Sequence, residues 1–167
     1  MSAAKSDHDT LWELIKDIQF GMLTHRNANG MLHAHPLTTQ NESLDAESHL
    51  YFFISRKSEL AQSLLQDGNV NVSYADPGED SYVSVSGQAV IAEDPEKKKE
   101  LWSPLARTWF PAGVSDPDLA LLEVRIRHAE YWDVKESRMV QLAKMAKAAI
   151  LGELPRKLGE HKELHIS

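Results

Sequence analysis

The sequence predicts a mainly β domain with α-helices at its flanks, a small six-stranded antiparallel barrel. Three observations carry that prediction. Six segments of strand length alternate polar and apolar residues or run continuously apolar, most of the links between them are hairpin-length, and short stretches of helical period sit among them. The 167 residues hold no internal repeat and no linker, so residues 9–152 are expected to form one domain and residues 153–167 a loose, charged tail.

Taken in order, Leu11, Leu14, Ile15 and Ile18 form the stripe of an amphipathic helix, with Asp9 or Thr10 as its N-cap. Phe20 to His25 and Met31 to Gln40 read as a hairpin around Asn27-Ala28-Asn29-Gly30, whose Asn-Gly pair supplies the positive φ of a tight turn. His49 to Ile54 is rich in aromatic and β-preferring residues and reads as a buried strand. A short helix follows, with Leu60, Ala61, Leu64 and Leu65 inward and Ser55 or Ser58 near its start. Asn69 to Tyr74 is the next strand, ended by the turn Asp76-Pro77-Gly78. Tyr82 to Ala92 sets Val83, Val85, Ala89 and Ile91 on one face and Tyr82, Ser84, Ser86 and Gln88 on the other. Asp94-Pro95 opens a helix over Lys97 to Leu101. Ala120, Leu122, Val124 and Ile126 mark the last strand, with Trp132 just beyond it, and a final helix gathers Leu142, Met145, Ala146, Ala149 and Ile150 on one side.

Composition narrows the function classes. Acidic residues exceed basic ones, for a formal charge of −7, and the basic residues are scattered. A binder of nucleic acid or of anionic membrane needs a cationic patch, so neither is expected. Without cysteine there is no disulfide framework, thiol catalysis or cysteine-based zinc site. No signal peptide or apolar span is legible, and a cytoplasmic protein is expected.

The residues that carry chemistry are few. His33 and His35 project from one face of a strand and could begin a metal site. No adjacent His/Glu set completes it, so they are read as ordinary histidines and no metal is expected. Ser55-Arg56-Lys57-Ser58 joins a strand to a helix start, where free N–H groups, two hydroxyls and two cations favour a phosphate. Read alone, that turn favours a capped helix with a solvated Arg-Lys pair. The polar face Tyr82/Ser84/Ser86/Gln88 either lines a cleft or faces water. There is no P-loop, GxGxxG run or GxSxG elbow, and no catalytic residue is assigned.

An ordered set of short motifs is more specific. Met22-Leu23-Thr24, Ala34-His35-Pro36-Leu37, Tyr51-Phe52-Phe53-Ile54-Ser55-Arg56, Asn69-Val70-Asn71-Val72-Ser73-Tyr74-Ala75-Asp76 and Tyr82-Val83-Ser84-Val85-Ser86-Gly87 occur in that order. With Leu101-Trp102-Ser103-Pro104, Trp109-Phe110-Pro111, Asp116-Pro117-Asp118 and Glu130-Tyr131-Trp132-Asp133, they resemble the general stress protein 26 group of the pyridoxamine 5′-phosphate oxidase-like FMN-binding split barrels. The resemblance covers residues 9–150.

It implies a split β-barrel homodimer with a flavin, FMN or else FAD, in each of two clefts between subunits. The implied flavin contacts are His35, Pro36, Leu37, Thr38, Thr39 and Gln40, then Phe53, Ile54, Ser55, Arg56, Lys57, Ser58 and Leu60, and finally Tyr82 and Trp132. Joined to this resemblance, the Ser55–Ser58 turn reads as the phosphate grip. Four departures from the family pattern stand out: His35 replaces a common Arg, Glu59-Leu60 an Arg-Lys pair that grips phosphate, Gln40 a Lys of the true oxidases, and Val140 the histidine of their Arg-x-His motif. The implied function is a flavin-dependent oxidoreductase without pyridoxamine 5′-phosphate oxidase activity. The alternatives are a non-catalytic flavin-binding module, or a barrel that binds heme or a deazaflavin.

Overall fold

The computed structural model describes residues 5–133, 138–152 and 160–166. Helix α1 (Asp7–Ile18) is followed by strands β1 (Phe20–Arg26), β2 (Leu32–Thr38) and β3 (His49–Ser55), helix α2 (Glu59–Leu64), and strands β4 (Asn69–Asp76) and β5 (Ser81–Ala92). Helix α3 (Pro95–Leu101), strand β6 (Leu119–Asp133), helix α4 (Arg138–Leu151) and strand β7 (Glu160–His165) complete the chain.

All pairings are antiparallel, and the sheet runs β2-β1-β4-β5-β6-β3, with β7 added on β6. Its two ends curl toward each other. Gln40 N–H donates to the Tyr51 carbonyl at 2.9 Å, and Thr39 bridges to Phe52. Thr39 Oγ1 also meets the Tyr74 hydroxyl at 2.6 Å inside the core. Burial pushes that phenol's pKa up, the Thr39 hydrogen bond opposing it. This partial closure of six strands is the split barrel.

Inward residues of β1, β3, β4, β5 and β6 fill the barrel, among them Leu23, Phe52, Val72, Val85 and Leu122, and Leu11 and Ile15 of α1 close it. The alternation of β5 holds from Ser81 to Val90. In β6 the phase shifts: Val124 and Ile126 are buried, but so are Ala129 and Tyr131. The shift is a β-bulge, since Ser86 faces His128 while Gly87 faces Ile126. Gly87 stands where a Cβ would lie 2.1 Å from the Arg125 carbonyl oxygen, so the bulge requires glycine.

Several local expectations are corrected. Ser6, not Asp9 or Thr10, caps α1, because Asp9 reaches back to the Ser6 N–H in a capping box. Leu65 faces solvent, since α2 ends at Leu64. Trp132 lies within β6, which the bulge lets run on to Asp133. On α4, Leu142, Met145 and Ile150 are exposed, and of its described residues Ala148 is the buried one. Residues 160–165, expected in a loose tail, pair with β6 from His128 to Asp133. Ile166 follows them, its N–H donating to the Arg127 carbonyl at 2.8 Å, and residues 153–159 and Ser167 of the expected tail lie outside the described residues. Among the described residues, no helix is long and apolar enough to cross a membrane.

Candidate functional site

The turn after β3 is built around a carboxylate. Ser58 caps α2 by accepting from Ala61 N–H, and its hydroxyl donates to the Ser55 carbonyl at 2.7 Å. Asp118, from the loop before β6, accepts from Ser55 Oγ at 2.7 Å and from Lys57 N–H at 3.3 Å. Its own carbonyl accepts from Arg56 N–H at 2.7 Å. The Ser55 hydrogen bond, then the Lys57 N–H and charge, hold the Asp118 carboxyl below its ordinary value against a smaller desolvation penalty. Of the donors expected to face a phosphate, the Ser55 hydroxyl and the Lys57 N–H therefore face an internal carboxylate, and the Ser58 hydroxyl and the Arg56 N–H face backbone carbonyls. Arg56 and Lys57 nevertheless line a cavity of about 410 Å³ with Gln62, Pro117 and Asp118. Arg56 is paired with Glu93 at 2.8 Å, a contact between exposed side chains. Such a pair is worth no more than about 1 kcal/mol, so the guanidinium is free to turn toward a ligand.

A second group forms where β1, β2 and α2 meet. The register sets His25 opposite His33 and Leu23 opposite His35, so all three imidazoles share the inner side of the hairpin. His25 is buried, and its Nε2 lies 2.9 Å from His35 Nε2, the two rings stacked at 5.0 Å. Burial, then the His35 charge, pull the His25 imidazole below its usual value. Glu59, in the first turn of α2, meets His33 Nδ1 at 2.9 Å and receives Asn27 Nδ2–H at 3.3 Å. The His33 hydrogen bond is the largest cause of its lowered carboxyl. His33 and His35 alone offered no complete set by spacing. The fold brings His25 and Glu59 to them.

The third group lies on the outer face of the sheet. Tyr82 and Trp132 are cross-strand partners there, and Ala75 adjoins Tyr82. On the other side of Trp132 the His161 ring of β7 is stacked at 4.8 Å and 3°. On β1, which β4 separates from β5, Phe20 and Met22 are exposed on the same outward side, and Met22 pairs with Pro36.

The remaining predicted contacts are placed as follows. Pro36 is exposed, while Leu37 packs against the core. Gln40 Nε2 donates to the Thr38 carbonyl. Phe53 leans on Trp102, its ring centroid 5.9 Å away, beside the small cluster of Tyr51, Leu101 and Leu121. Thr39, Ile54 and Leu60 are buried, so only their backbone can meet a ligand. Asp118 is a site residue that the sequence reasoning does not single out, and the signal that could have marked it is its aspartate-proline-aspartate loop. Glu59 was visible as a charge reversal in a phosphate-type turn.

This fold, with a cationic turn at the start of α2 and a Tyr82–Trp132 aromatic pair across β5 and β6, defines a split-barrel protein. The model of the family described as "Pyridoxamine 5'-phosphate oxidase like" matches residues 6–156, and the chain belongs to that family. A general stress protein 26 from Jannaschia sp. CCS1 superposes with a TM-score of 0.71 at 26% identity, covering 93% of this chain and 95% of that one. The general stress FMN/FAD binding protein of Xanthomonas citri is 32% identical, with a TM-score of 0.67 over 78% of this chain and 89% of its own. Protein bli-3 of Neurospora crassa is 24% identical over 147 residues, 81% of this chain and 68% of the relative.

Proposed function

We propose that the protein binds FMN, with FAD as the alternative flavin, as a cytoplasmic homodimer, and that it serves as a flavin-dependent oxidoreductase. The observation that carries this reading is the exposed apolar strip on the outer face of the sheet. Phe20 is 61% exposed, Met22 44% and Tyr82 38%, and Trp132 is Tyr82's partner. An open apolar sheet face of this kind is what a second copy of the chain and a planar ring would cover.

The residues present fit a flavin. Tyr82 and Trp132 offer a shelf for its ring. Arg56 and Lys57 supply two cations at the mouth of a cavity large enough for a small ligand. The flavin, when bound, supplies electron transfer. The chain's own residues orient the ring and hold the phosphate. The exposed Leu142, Met145 and Ile150 of α4 add apolar surface that a partner subunit would cover. Gln40 has no positive charge to offer a phosphorylated substrate, which supports a substrate other than pyridoxamine 5′-phosphate.

The test is a titration of the full-length protein with FMN, FAD and hemin, followed by absorbance and tryptophan fluorescence. FMN is expected to bind and to shift the monomer–dimer equilibrium toward dimer in sedimentation across a dilution series. The double variant Arg56→Ala/Lys57→Ala is expected to lose about 1.5–3 kcal/mol per contact, tenfold or more each in affinity. A Soret band with hemin and no flavin binding would overturn the reading. So would equal affinity of the folded double variant.

A further inference from the structure

We propose that His25, His35 and Glu59 form a binding site for a divalent transition metal of the zinc class, with His33 as the residue that positions the carboxylate. The proposal does not rest on the flavin reading. It begins from three elements that converge on one point: β1 brings His25, β2 brings His35, and the first turn of α2 brings Glu59. One ligand atom from each lies within 4.8 Å of the other two.

The separations lie within a small adjustment of those a bound metal requires, although the 2.9 Å His25–His35 contact also serves as a hydrogen bond. A zinc ion bonded at about 2.0–2.2 Å in tetrahedral geometry sets its ligand atoms about 3.4 Å apart. Here His25 Nε2 and His35 Nε2 are 2.9 Å apart, and His35 Nε2 and Glu59 Oε2 3.9 Å, so the two values bracket that spacing. Small rotations of the His35 ring and the Glu59 side chain bring both to it. Without a cation, two neutral imidazoles joined through Nε2 share one proton between them.

The carboxylate is held as metal-ligating carboxylates are held. His33 Nδ1 lies 2.9 Å from Glu59 Oε2, the ligating oxygen, and Asn27 donates to Oε1. Partners of this kind orient a ligand and set its basicity. Two nitrogens and one oxygen select zinc, cobalt, nickel or copper over magnesium or calcium, which take oxygen alone. Three protein ligands leave a fourth position. His35 and Glu59, with side chains 36% and 44% exposed, open it to water or to an anionic oxygen of a ligand.

A second histidine and glutamate group, His128, Glu163 and His165, lies on the more exposed surface of β6 and β7, and the test must separate the two. Metal-stripped full-length protein carrying His128→Ala is titrated with zinc by calorimetry and with cobalt by visible absorption. One ion per chain is expected, with the intense cobalt bands of a four-coordinate site. Adding His35→Gln or Glu59→Gln, both at half-exposed positions, is expected to abolish those bands, and His33→Gln to weaken zinc binding about 10–100-fold. Circular dichroism checks that each variant folds. The proposal is overturned if His128→Ala alone removes all binding. It is overturned equally if folded His35→Gln and Glu59→Gln bind zinc as tightly as their parent.

Discussion

The indole of Trp132 and the imidazole of His161, cross-strand partners on β6 and β7, lie parallel, 3° apart in plane and 4.8 Å between centroids, although helix α4 stands between them in the chain. The C-terminal strand thus covers one face of an aromatic that the family resemblance assigns to the flavin. An aromatic pair of this kind is worth about 0.5–1.5 kcal/mol beyond its buried area. If the flavin ring takes that face, it must displace His161. His161→Ala is then expected to raise FMN affinity about two- to twelvefold in a fluorescence titration. An unchanged affinity would place the ring elsewhere.

Asp118 competes with any anion for the Ser55 hydroxyl and the Lys57 N–H. Its folded carboxyl titrates below its ordinary value, so the stability it contributes is complete above that ordinary value and fades as the pH falls through the lowered one. Asp118→Asn is expected to flatten the acid limb of stability in thermal melts taken from neutral pH downward. Freed of the negative charge, the same turn should also bind FMN a few-fold more tightly. Weaker binding by the folded variant would mean that Asp118 orders the turn rather than competing for it.

Gly87→Ala tests the bulge. The added methyl group would stand 2.1 Å from the Arg125 carbonyl oxygen and 3.3 Å from Ile126 Cα, both backbone atoms of the paired strand. The clash cannot be relieved by a side-chain rotation. A loss of about 1–3 kcal/mol is expected, read as a lower denaturant midpoint at constant slope. A loss near zero would show that β5 and β6 can re-register freely at this point.

Much of the fold is legible in the chain because its signals are local. Alternation along β5 sorts Val83 and Val85 from Tyr82 and Ser84, the Asn27–Gly30 run sets the first hairpin, and Asp94-Pro95 opens α3. Each depends on residues within a few positions of one another, where side-chain period and backbone propensity act directly. The tertiary structure decided the rest. Asp118 reaches Ser55 across 63 residues, and Glu59 reaches His33 across 26. Strand period can put His33 and His35 on one face, but it says nothing of which side chains a neighbouring strand or helix will set against them. That was decided by the β1–β2 register and by where α2 docks, since long-range partners are chosen by packing rather than by spacing.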